Sequence, residues 1–187
     1  MTEETLYVTE REAWRKWLSE NFQTKNEIWL LYPKVSSGKP RIEYNTAVEE
    51  ALCFRWIDSK IKSVDDNHSM QKYSPRRDNS QFSQPNRERL QWLHKHRRIH
   101  PSVLPKVQHI LNEKFHFPTD IISQLKKDKE VWKNYSGFSE SYKRLRIAYI
   151  DSARNRPEEF EKRLQNFMNK TKTNTRIKGF GGIEKYY

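Results

Sequence analysis

Rings supply most of the material from which this chain can build a core: nine Phe, nine Tyr and six Trp stand among 187 residues, of which only 34% are apolar. Each aromatic side chain removes roughly 150–250 Å² from water, so a core is possible despite the overall polarity. With five Gly and eight Pro the composition is far from that of low-complexity chains, and disorder throughout is excluded. The length allows one domain with room for a helical appendage, and two large domains do not fit.

The periodicity of the apolar residues predicts the elements. Glu4 to Val8 reads as a short strand. Thr9-Glu10-Arg11-Glu12 has the form of a capping box, opening a helix to about Phe22 with Ala13, Trp14, Trp17, Leu18 and Phe22 on one stripe. Glu27 to Lys34 reads as a strand, and Pro33 places its end at or near a sheet edge. Thr46 to Glu49 forms a second capping box, for a helix that buries Ala47, Val48, Ala51 and Leu52 around Cys53. Residues 57–76 read as a hairpin broken at Asp65-Asp66-Asn67. Ser83-Gln84-Pro85-Asn86 starts another helix, and a short one begins near Pro101-Ser102. Beyond Phe117-Pro118 the texture is helical, with starts at Thr119, Ser139 and Pro157. The fold class is therefore α+β: a small sheet of two to four strands with helices in 1–117, an all-helical C-terminal module in 118–175, and a Gly-containing tail, 176–187, either mobile or docked.

Charge narrows the function. The formal balance is +12, and it is unevenly spread: residues 1–53 sum to −2, residues 54–110 to +7 and residues 111–187 to +7. The middle block also holds five of the six histidines, His68, His94, His96, His100 and His109, so a functional face is expected there. Solvated surface is the plainer reading of the same charge.

Several chemistries lack their residues. Cys53 stands alone, so a disulfide within the chain and a cysteine zinc site are excluded, and its apolar neighbours mark it as a core residue. His96 and His100 share a helical spacing, but Pro101 disfavours helix at His100 and no third ligand follows. There is no Gly-x-Ser-x-Gly elbow, and Gly179-Phe180-Gly181-Gly182 lacks the Lys and Ser or Thr of a phosphate loop. No cofactor or metal is expected. The longest apolar run is five residues, Ile28 to Tyr32, well below a membrane span. The acid-rich start is unlike a signal peptide, so a cytoplasmic location is expected.

What remains is the segment from Phe54 to Arg98, where aromatics interleave with Arg and Lys. Guanidinium groups bind phosphate or carboxylate through paired donors, and aromatic planes stack on bases or cations. The candidate ligand-binding residues are Trp56, Asp58, Tyr73, Arg76, Arg77 and Arg87. The opposing expectation is scaffold, with Arg76 and Arg77 paired to Asp58 or Asp78 to pin the hairpin.

Three ordered blocks, Glu50 to Ser59, Tyr73-Ser74-Pro75-Arg76-Arg77 and Phe82 to Arg89, resemble the YdeI/OmpD-associated family, also called OmdA and described as bacteriocin-protection proteins. The stretch Phe138 to Arg163 resembles its C-terminal helical module. Where the family pattern is Gly-Trp-Ile-Asp-Gly, this chain has Arg55 and Ser59 in place of the glycines. The resemblance implies a bacterial cytosolic protein linked to tolerance of peptide antimicrobials, and it brings no catalytic residues. Three function classes follow: non-enzymatic binding of an anionic or polar small ligand or protein partner, nucleic-acid binding driven by the basic middle block, and an enzyme with an Asp or His base beside an arginine clamp.

Overall fold

The computed structural model describes residues 3–179 and 184–186, and the tail glycines Gly181 and Gly182 lie outside them. The chain divides into two compact units, one of Met1–Phe82 with Leu90–Leu111 and one of Ser83–Arg89 with Asn112–Tyr187.

The first unit is built on a four-stranded sheet in the order β1-β2-β4-β3, with β1 at Thr5–Leu6, β2 at Ile28–Pro33, β3 at Trp56–Ser63 and β4 at His68–Pro75. β1 runs parallel to β2, and the other neighbours are antiparallel. The hairpin turns at the Asp65-Asp66-Asn67 break, where Asp65 accepts the Asn67 amide at 2.6 Å, as an acid in a turn is expected to do. β2 is an interior strand, but its end at Pro33 lies at an edge, as the proline suggests. β1 reaches only Trp29 and Leu30, so at Pro33 the ladder has no neighbour on that side and proline is tolerated.

Helix α1 (Arg11–Asn21) and helix α2 (Tyr44–Cys53) pack on the sheet face that carries Ile28, Leu30 and Tyr73. Trp14 and Leu18 are fully buried; the Trp14 indole donates to the Ala47 carbonyl at 3.0 Å and lies edge-on to Tyr73. Neither capping box closes. The N-caps are Glu10, one residue after Thr9, and Glu43, three residues before Thr46, and neither side chain accepts a capping hydrogen bond. Thr46 lies inside α2, where tertiary packing of the apolar face outweighs the local cap signal.

The same helix buries two carboxylates, one of them Glu49, the acid of the expected capping box. Glu49 and Glu50 are both 0% exposed. Arg11 donates to Glu50 at 2.5 Å, Arg15 at 2.6 Å and Arg98 at 2.9 Å, bringing α1 and the segment after α3 (Gln84–Lys95) onto α2. Arg97, with φ +55°, ends α3 in a left-handed turn just before Arg98. Cys53 is buried one turn beyond Glu50, and burial first, then the Glu50 charge, pushes its thiol up to about 12. Helix α4 (Leu104–Asn112) completes this core through Val107 and Ile110.

The second unit is helical: α5 (Thr119–Lys126), α6 (Lys129–Gly137), α7 (Glu140–Asp151) and α8 (Pro157–Lys172) close on Ile121, Val131, Tyr142, Ile147, Leu164 and Phe167. Here the local signals hold. Ser139 caps α7 through the Tyr142 amide at 3.3 Å, and Pro157 opens α8. α6, whose Asp128 cap accepts from Glu130 and Val131, has a start the sequence reading does not separate. The chain after α8 lies along α7, with the Ile177 amide donating to the Tyr142 hydroxyl at 2.8 Å.

Candidate functional site

The open end of the hairpin is where the first unit gathers the cations of one cleft. α2 ends at Cys53, and the chain turns into β3 through Arg55, whose φ of +59° is a left-handed conformation that favours glycine. The Arg55 carbonyl accepts the amide of Arg76, the residue after β4, at 2.9 Å. These two arginines line a cleft of about 500 Å³ together with the end of α1 and the α3–α4 segment. The size falls within the range of small-molecule sites.

The lining has one sign of charge: Lys25, Arg55, Arg76 and Lys106, with no carboxylate among the lining residues. Lys25 pairs at 2.8 Å with Glu4, and Arg55 at 2.7 Å with Asp78, which is 89% exposed. Among the described residues Lys106 forms no ion pair. Arg76 is the unusual member. It is 4% exposed, its guanidinium lies 3.9 Å from the Phe82 ring centroid, and Nη1 donates to the Gln81 carbonyl at 3.0 Å. No carboxylate pairs with it, and its buried Nε has no partner. Burial first, and then the neighbouring Arg55 charge, holds its pKa below the usual arginine range.

The aromatics of the cleft are occupied with one another. Trp56 and Phe54 are almost fully buried; the Trp56 indole donates to the Phe22 carbonyl at 3.2 Å, and its ring meets Trp17 edge-on. Phe22 packs on Phe54 and on His100. Neutral polar groups complete the wall: Gln23, Asn26 and Ser102.

Of the six residues expected to bind, Trp56 and Arg76 line this cleft. Tyr73 is fully buried under α1, its hydroxyl 3.4 Å from that of Tyr32, and burial drives both phenols up, Tyr32 to about 12. Asp58 is paired across the ladder with Tyr73 and accepts from the Tyr44 hydroxyl at 2.6 Å. Arg77 is exposed. Arg87 belongs to the second unit, where it forms an ion pair with Glu113. Arg76 pairs with neither Asp58 nor Asp78, so the pinning arrangement is not the one adopted; Asp78 goes to Arg55 instead. Lys25, Ser102 and Lys106 join the cleft from distant segments. Arg55 was legible only as a cation standing where a glycine pattern runs.

Among the described residues no three metal-ligating side chains converge, and no helix is long and apolar enough to cross a membrane. His96 stacks on Trp92 at 3.9 Å, whereas His100 packs on Phe22 and Phe54.

Comparison with known families divides the chain at nearly the same place as the fold. A profile for the domain of unknown function DUF8412 matches residues 6–106. One described as "Bacteriocin-protection, YdeI or OmpD-Associated" (OmdA) matches residues 114–174. The OmdA match thus covers helices α5 to α8, while the three motif blocks between Glu50 and Arg89 fall within the DUF8412 match. No curated protein and no solved structure matches the chain.

Proposed function

Starting from a chain that belongs to the DUF8412 domain family and carries an OmdA module behind that domain, we propose that its first unit is a non-enzymatic receptor for a small anion. The observation that carries this reading is Arg76: a guanidinium 4% exposed, without a carboxylate partner and with a buried donor unused. Burying an uncompensated cation costs several kcal/mol, and a cleft whose charged liners are all cationic offers the compensation from outside the protein, as a bound anion.

The OmdA description supplies a setting, protection against bacteriocins. A cleft that repels cations is a poor trap for a cationic peptide toxin, so protection by this chain is indirect, through an anionic metabolite or an anionic partner group.

Calorimetric titration with inorganic phosphate tests the receptor. The expected result is saturable binding that weakens with added salt, and roughly 10- to 100-fold weaker binding in Arg76→Met, the scale of one lost charged hydrogen bond. Absence of binding at low salt, or an Arg76→Met protein that binds as well as the parent, overturns the proposal.

A further inference from the structure

The neutral side of the cleft carries information about the ligand that the charges do not. Ser102 lines the cleft, and its backbone N–H donates to Nδ1 of His100 at 3.3 Å. A backbone N–H can only donate, so Nδ1 is an unprotonated acceptor and the ring carries its proton on Nε2. The Ser102 hydroxyl stands 2.9 Å from the same Nδ1 and donates to it, sharing the nitrogen's single lone pair with the longer contact from the backbone N–H. The ring cannot easily turn away, since it is packed against Phe22 and Phe54. Ser102 consequently presents lone pairs to the cleft, and a ligand group resting there has to be a donor. A bare oxyanion has no proton to give.

The other neutral liners extend this polarity. Gln23 and Asn26 sit on the rim with exposed side-chain amides, each able to donate and accept. The rings do not offer a stacking plane, because Trp56 and Phe54 are buried and Phe22 is taken up by its neighbours. A nucleobase would find no face on which to lie. With Lys25 and Arg55 paired to Glu4 and Asp78, Arg76 and Lys106 leave about two positive charges in the cleft, which suit a group carrying close to two negative charges, as a phosphate monoester does near neutral pH, better than a single carboxylate.

We infer that the ligand is a phosphorylated polyol or sugar, its phosphate held by Arg76 and the flanking cations and a hydroxyl donating to the Ser102 Oγ. This rests on the anion-receptor reading above and adds the donor requirement to it.

The test compares three probes on the full chain by calorimetry: glucose 6-phosphate, inorganic phosphate and glucose. The expected order is glucose 6-phosphate tighter than phosphate by about 3- to 10-fold, the worth of one neutral hydrogen bond, with glucose alone not binding. Ser102→Ala removes that advantage and leaves phosphate affinity in place, and Ser102→Thr, which keeps a hydroxyl, restores it. Equal affinity for glucose 6-phosphate and phosphate, or a Ser102→Ala protein that loses both alike, overturns the donor requirement while leaving the anion receptor standing. Failure of phosphate itself to bind overturns both.

Discussion

The amide of Arg76 donates to the carbonyl of Arg55 at 2.9 Å, and this bond ties the residue following β4 to a residue whose own backbone is strained. A non-glycine side chain at φ +59° costs on the order of 1 kcal/mol, and such strain persists where the side chain has a task. Arg55→Gly therefore stabilises the protein by roughly 0.5–1 kcal/mol, since the lost ion pair to the exposed Asp78 is worth less than that. The same variant binds phosphate more weakly. A rise in Tm without any loss of phosphate affinity would show that Arg55 serves no ligand.

Arg76 makes the matching trade. Met fills much of the same volume over Phe82 and removes a buried charge that has no direct ion pair and only the more distant Asp58 to offset it, at the expense of a hydrogen bond to Gln81. The two effects oppose each other, so Arg76→Met is expected to change unfolding free energy by less than about 1 kcal/mol while phosphate binding weakens roughly 10- to 100-fold. Chemical denaturation checks the first half. A loss of several kcal/mol would identify Arg76 as scaffold.

Glu50 stands at the other extreme. Its carboxylate is fully buried and carries three guanidinium contacts, so Glu50→Gln removes the anion that Arg11, Arg15 and Arg98 share, leaving Arg11 only Glu49 and Arg98 only the exposed Glu12. The expected cost is about 3–5 kcal/mol, a large share of a typical domain's stability. Glu4→Gln, which removes the partner of Lys25 in a pair open to solvent on both sides, costs less than about 1 kcal/mol. Freeing Lys25 also raises phosphate affinity. Urea unfolding of both variants and a titration of the second provide the comparison.

Which parts of this molecule the sequence discloses depends on the range of the forces involved. The strands, the hairpin break and the starts of α7 and α8 rest on period and on caps such as Ser139, which act within a few residues, and they are where the pattern puts them. The interior place of β2 depends on β1 pairing with Trp29 and Leu30, a contact between segments that Pro33, marking only the open end of the strand, does not carry. Glu49 reads as a capping-box acid and Glu50 carries no local signal. They are buried because α1 and the segment after α3 bring cations to them, and no local pattern carries that. The site behaves alike: Trp56 and Arg76 are found from the dense Arg and aromatic block, but Lys25, Ser102 and Lys106 reach the cleft from chain positions far from it. Arg87, in the same block, lies in the other unit.

Cys53 sets the behaviour in alkali. Its folded thiol titrates at about 12, above the ordinary value of 9.0, with burial the largest cause and the Glu50 carboxylate next. Because the folded value is the higher one, the unfolded chain loses this proton first. The contribution to stability is complete below pH 9.0 and is lost as the pH rises from there toward about 12. Tyr32, raised from 10.0 to about 12 chiefly by burial, adds to the same decline. Thermal unfolding measured from pH 8 to 11 should therefore show Tm falling above pH 9, and Cys53→Ala should flatten the first part of that fall. At pH 8 the native thiol should resist a disulfide reagent and react promptly once guanidinium is added. Prompt reaction in the folded protein would mean that the α2 core opens around Cys53, and the alkaline dependence would then have to come from the phenols alone.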